Sequence, residues 1–90
     1  MKVKPIRTRV TTVTCSSCAV EIYSRARHDY HTCYCGNTMI DGGFDYLRYG
    51  FPPGENKPLV RMRYINATRS EMYDDWALRG DRFGFFTKGA

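Results

Sequence analysis

The feature that most constrains this chain is the placement of its four cysteines, Cys15-Ser16-Ser17-Cys18 followed by Cys33-Tyr34-Cys35-Gly36, within only 90 residues. A domain of this size buries only about 60 to 65% of the surface its unfolded chain exposes, so its core leaves little margin and a covalent or metal staple is expected. Tetrahedral zinc needs four ligands, thiolates at about 2.3 Å or imidazoles at about 2.0 to 2.1 Å, and two short loops can deliver two each. The C-x-x-C has the usual spacing. The C-x-C is tighter, but alternate residues of an extended backbone share a side, and Gly36 permits the positive φ of a turn after the last ligand.

The expected site is therefore Zn2+ held by Cys15, Cys18, Cys33 and Cys35, with His28 or His31 as an alternative fourth ligand. Disulfides or free thiols are the competing reading. A redox C-x-x-C calls for a thioredoxin-like strand-to-helix context, which the flanking sequence lacks. An iron-sulfur cluster is disfavoured because the intervening segment is polar and aromatic and the chain is too small to shield it. Four thiolates leave no open coordination position, so the metal is expected to be structural.

Hydrophobic residues make up 42% of the chain and charged residues 26%, the composition of a folded domain and not of a disordered segment. No segment approaches the roughly 20 apolar residues of a membrane span. The basic N-terminus has no apolar run behind it, so a signal peptide is not expected and a cytoplasmic setting is. There, paired cysteines more often bind metal than form disulfides. Fourteen Lys and Arg against nine Asp and Glu give a net charge of +5, which favours an acidic partner.

Residues 6–14 alternate β-branched and polar side chains into the first cysteine pair and read as a strand, with residues 19–25 returning antiparallel. Residues 37–41 leave the second pair as a third strand, Gly42-Gly43 turns the chain, and residues 44–49 form a fourth. Residues 51–58, rich in Pro, Gly and Asn, are a loop. Residues 59–65, Leu-Val-Arg-Met-Arg-Tyr-Ile, alternate apolar and basic side chains, predicting a strand with one buried and one solvated face. Ser70 is positioned to cap a helix over 71–79 that Gly80 ends, with Met72, Trp76 and Tyr73 on its apolar face. Phe83-Gly84-Phe85-Phe86 reads as a short strand or docked tail closing the core. The predicted class is α+β, mainly β: a single domain over 1–90, with a zinc-ribbon-like part over 1–50 and a strand plus helix over 59–90.

The central run Arg27-His28-Asp29-Tyr30-His31-Thr32-Cys33-Tyr34-Cys35-Gly36, followed by Asp41-Gly42-Gly43 and Tyr46-Leu47-Arg48, resembles a family of small uncharacterised zinc-ribbon-like proteins of bacteriophages and prophage-bearing bacteria. That pattern opens on a C-x-x-C and runs in the same order as residues 14–48. The resemblance implies a structural metal site and a phage origin, and it carries no activity. It places the protein in the host bacterial cytoplasm, where small phage proteins bind host enzymes or defence components.

His28 and Asp29 with Asp41 and Asp45 can be read as a nuclease-like cluster, but no motif supplies a nucleophile or an open metal position; local hydrogen bonding and turn formation explain them. Asp41-Gly42-Gly43 likewise reads as a turn before it reads as a phosphate cradle. Arg7, Arg9, Arg25, Arg27, Arg48, Arg61 and Arg63 are interleaved with tyrosines, the side chains of nucleic-acid surfaces and equally of protein–protein hot spots. The favoured expectation is a non-enzymatic binding module that targets a host protein. A nucleic-acid-binding zinc ribbon is the second reading; a metal-dependent hydrolase, or a protein that sequesters a nucleotide signal, is the third.

Overall fold

In a computed structural model, described for residues 7–54, 56–80 and 82–86, the chain forms two antiparallel sheets and one helix. The expected class, α+β and mainly β, is what the chain adopts. Strands β1 (Thr8–Thr14), β2 (Glu21–Tyr23), β6 (Leu59–Ile65) and β7 (Phe85–Phe86) form one sheet in the order β6-β1-β2-β7. Strands β3 (His31–Thr32), β4 (Met39–Asp41) and β5 (Arg48–Gly50) form the second, in chain order. Helix α1 (Arg69–Ala77) follows β6.

The alternation in residues 8–14 gives β1 two useful faces. Val10 joins Tyr23, Ala67, Met72 and Phe83 in a core beneath the helix, whereas Val13 joins Ile22, Ile40, Cys15 and Cys33 in a core against the second sheet. Two small cores thus share strands β1 and β2, one on each face. Strand β6 pairs with β1 along its whole length, from Thr8 opposite Ile65 to Thr14 opposite Leu59, so the segment after the proline loop is built into the first sheet. Phe83, Phe85 and Phe86 close both cores, as the aromatic tail motif suggested.

Five local expectations change. Strand β6 buries neither face fully: Val60, Met62 and Tyr64 are all exposed, Met62 at 64%, because no element among the described residues packs over them. Strand β3 was not anticipated, since a two-residue strand has no periodicity to read. The fourth strand starts only at Arg48, because the Gly42 carbonyl accepts from the Asp45 and Tyr46 amides and keeps the chain turning past the two glycines. That turn lies so close to the backbone of Ala26 and Tyr46 that a Cβ at Gly43 or Gly42 would overlap it. The helix is capped by Thr68, not Ser70: the Thr68 hydroxyl accepts from the Glu71 amide, and the Glu71 carboxylate accepts from the Thr68 amide, a capping box. At the other end Arg79, not Gly80, takes the left-handed conformation (φ 57°). Its amide bonds to the Trp76 carbonyl and that of Gly80 to Asp75, a Schellman closure.

Arg25, one of the arginines assigned to a contact surface from sequence, is buried. Its guanidinium donates to Asp29 (2.8 and 3.3 Å), Asp75 (2.7 Å) and the Gly80 carbonyl (2.7 Å), tying β2 to the far end of α1. Asp75 also accepts from the Phe83 and Arg82 amides, so one carboxylate fixes the helix end and the segment entering β7. Burial opposes ionisation of Asp29, but the nearby His31 ring, its Nδ1 3.7 Å from the carboxylate, and hydrogen bonds from the Arg25 side chain and amide outweigh it and hold the carboxyl down to about 2. Its stabilisation is therefore complete above the ordinary carboxylate pKa of about 4 and is lost as pH falls from there through about 2.

Removing the cation leaves two carboxylates uncompensated, one of them buried. Arg25→Ala is expected to cost about 3 to 5 kcal/mol in denaturant unfolding. Relief of the left-handed strain by Arg79→Gly is expected to raise stability by about 0.5 to 1 kcal/mol in the same assay.

Candidate metal centre

The two cysteine pairs sit on the tips of two hairpins from different sheets. The first occupies the β1–β2 connection, where the Cys15 amide donates to the Val20 carbonyl and the Ala19 amide to the Cys15 carbonyl, each at 3.0 Å. The second occupies the β3–β4 connection, where Cys33 and Gly36 make the corresponding bonds to Thr38 and Cys33, also at 3.0 Å. Gly36 has φ 77°, the conformation expected from its position after the last cysteine. Ala19 holds φ 62° at the equivalent point of the first loop, a position where alanine is strained.

All four sulfurs lie within 4.8 Å of one another. Cys15 Sγ is 3.6 Å from Cys35 Sγ, and Cys33 Sγ is 3.4 Å from Cys35 Sγ. Bonds of about 2.3 Å to a tetrahedral ion require sulfur–sulfur edges of about 3.8 Å, whereas a disulfide requires about 2.05 Å. The cysteines are unbridged, and the spacing is that of a thiolate cage. Among the described residues this is the one group of three or more Cys, His, Asp and Glu side chains able to hold an ion, and neither histidine belongs to it. The four cysteines picked out in the sequence are the ones the fold brings together.

The electrostatics fit the same chemistry. Burial opposes ionisation of Cys15, but hydrogen bonds from the Thr38 side chain and from the Cys18 and Ser17 amides prevail and bring its thiol down to about 6. Cys18 is lowered too, with burial again opposing and the Val20 and Cys35 amides prevailing. The Asn37 amide favours the Cys35 thiolate, yet its contacts with Cys33, Cys15 and Cys18 outweigh this and push it up to about 12. Amides thus favour the first charges in the cluster, and crowding opposes the last. A divalent cation at its centre removes that conflict. Cys15 and Cys33 are also buried in the second core, so ligand geometry and packing are set together.

The other sequence candidates do not converge here. Asp29 is engaged by Arg25, and Asp41 accepts from Arg48 (2.6 Å) and the Gly42 amide (2.9 Å); His28 is exposed. The carboxylates therefore serve as turn and ion-pair residues. The Gly43 amide donates to Ser24 Oγ (3.0 Å), so the glycine pair forms a packed turn. Arg63 is engaged by Glu21 through two hydrogen bonds (2.8 and 3.1 Å), whereas Arg7, Arg9 and Arg61 are exposed and have no carboxylate partner among the described residues. Arg27 and Arg48 are exposed and paired, with Asp45 (3.8 Å) and Asp41 respectively. Sequence periodicity carried no sign of the buried Arg25 cluster, because its members lie as far as 55 residues apart.

Residues 8–51, just under half of the chain and including both cysteine pairs, match the model of a domain of unknown function (DUF7695). No curated protein and no solved structure matches the chain. No helix among the described residues is long and apolar enough to cross a membrane.

Elemental analysis of purified protein is expected to find about one metal ion per chain, with loss of that ion in Cys33→Ser. Because each thiol must lose its proton to bind, affinity is expected to fall with falling pH. Replacing the left-handed residue, Ala19→Gly, should stabilise the metal-loaded protein by about 1 kcal/mol in thermal unfolding.

Proposed function

We propose that the protein is a zinc-stapled binding module of phage type that acts without catalysis, grips a host protein and works in the bacterial cytoplasm. Zinc is favoured because four thiolates at tetrahedral spacing suit its size and coordination. Four protein ligands leave no position for substrate or water, which supports a structural metal. The phage setting rests on the resemblance of residues 14–48.

The observation that carries the reading is strand β6. It is an edge strand with a seven-residue open side, and its exposed Val60, Met62 and Tyr64 alternate with Arg61 and Arg63. A long exposed edge with an apolar stripe is a template for another strand, and proteins without a partner for such an edge blunt it. The segment that fits is an extended stretch of a partner protein alternating apolar and acidic residues. Its backbone extends the sheet, its apolar side chains cover Met62 and its carboxylates face Arg61, whose guanidinium is not bonded to a carboxylate as that of Arg63 is to Glu21.

An affinity pull-down from host lysate, with nucleic acid and metal measured on the same sample, tests this. The expected result is a protein captured by the wild type and lost in Met62→Glu and in Arg61→Glu, with one zinc retained in each variant. Equal capture by these variants, or recovery of nucleic acid in place of protein, would overturn the reading.

A further inference from the structure

Away from β6 and the metal, a cleft of about 580 Å³ opens between β1 and the β4–β5 turn. Its volume lies in the range of sites for single small molecules, about 300 to 1,000 Å³. Three guanidiniums line it: Arg7 just before β1, Arg9 on β1 and Arg69 at the start of α1. None of them has a carboxylate within ion-pair distance among the described residues.

The two carboxylates that share the cleft are answered from elsewhere. Asp41 is engaged by Arg48 at 2.6 Å, and Asp45 lies 3.8 Å from Arg27. Arg69 is held in position over the Phe44 ring, 4.3 Å from its centre. The Thr11 hydroxyl adds a hydrogen-bonding group, and Tyr46, 43% exposed, adds an aromatic side chain. Unpaired guanidiniums lining one cleft are the chemistry that recognises phosphate oxygens, and a neighbouring ring is the chemistry that receives a base.

We propose that this cleft binds a nucleotide, its phosphates held by Arg7, Arg9 and Arg69 and its base placed against Tyr46. The site is separate from the protein-docking edge, since no residue of β6 lines it. A cleft of this size takes one nucleotide and not a strand, which is why a free nucleotide is favoured over a nucleic-acid backbone.

The test is a titration of the isotope-labelled, metal-loaded protein with ADP in phosphate-free buffer, followed by NMR. Saturable shifts are expected at the amides of Arg9, Thr11 and Tyr46. The dissociation constant should rise at least about tenfold in Arg9→Ala, and remain unchanged in Lys57→Ala, an exposed position outside the cleft. Arg9 is exposed, so its replacement is expected to leave the fold intact, which the spectrum of the variant reports directly. Absence of saturation, equal affinity in Arg9→Ala, equal binding of adenosine without phosphate, or binding of an oligonucleotide that ADP does not compete would each overturn the proposal.

Discussion

The rest of the structure depends on the convergence of four sulfurs at the tips of two hairpins. Strands β2, β3, β4 and β5 are only two or three residues long, too short for their ladders to hold a sheet unaided. The cysteine cage joins the β1–β2 hairpin of one sheet to the β3–β4 hairpin of the other, and Cys15 and Cys33 are at the same time side chains of the core between them. An ion bound there fixes the angle between the sheets and the packing of Val13, Ile22 and Ile40 in one step. Metal affinity and folding free energy are then the same quantity.

The second core needs a different device. Beneath α1 the chain buries a charge: Arg25 reaches two carboxylates and the Gly80 carbonyl, and Asp75 in turn caps amides at the entrance to β7. A helix of nine residues with one fully buried apolar side chain, Met72, makes little hydrophobic contact. The ion-pair cluster supplies direction where apolar area is scarce. The metal cage and the buried arginine thus hold opposite faces of the one sheet that contains β1.

This division explains what is left over for binding. A small domain that spends its ordered side chains on two cores has none to cover β6, so Val60, Met62 and Tyr64 face outward. The same shortage leaves Arg7, Arg9 and Arg69 unpaired around the cleft on the other side of β1. Both proposed sites come from the same economy of size.

The sequence alone determined the cysteine cluster and the long strands. Cys15, Cys18, Cys33 and Cys35 form pairs by local spacing, and the period-two alternation of residues 8–14 and 59–65 leaves no other regular structure for them. What it could not decide was which alternating face meets protein and which meets water, because that depends on partners distant in the chain. Arg25 and Arg61 are alike as residues in a strand-rich, basic sequence; one is buried by Asp29 and Asp75, the other exposed on an edge. The helix cap moved from Ser70 to Thr68 because Glu71 sits at the distance that closes the box with Thr68. Local spacing chose the ligands, and only the tertiary structure chose the surface, since burial is a property of what packs against a residue and not of the residue itself.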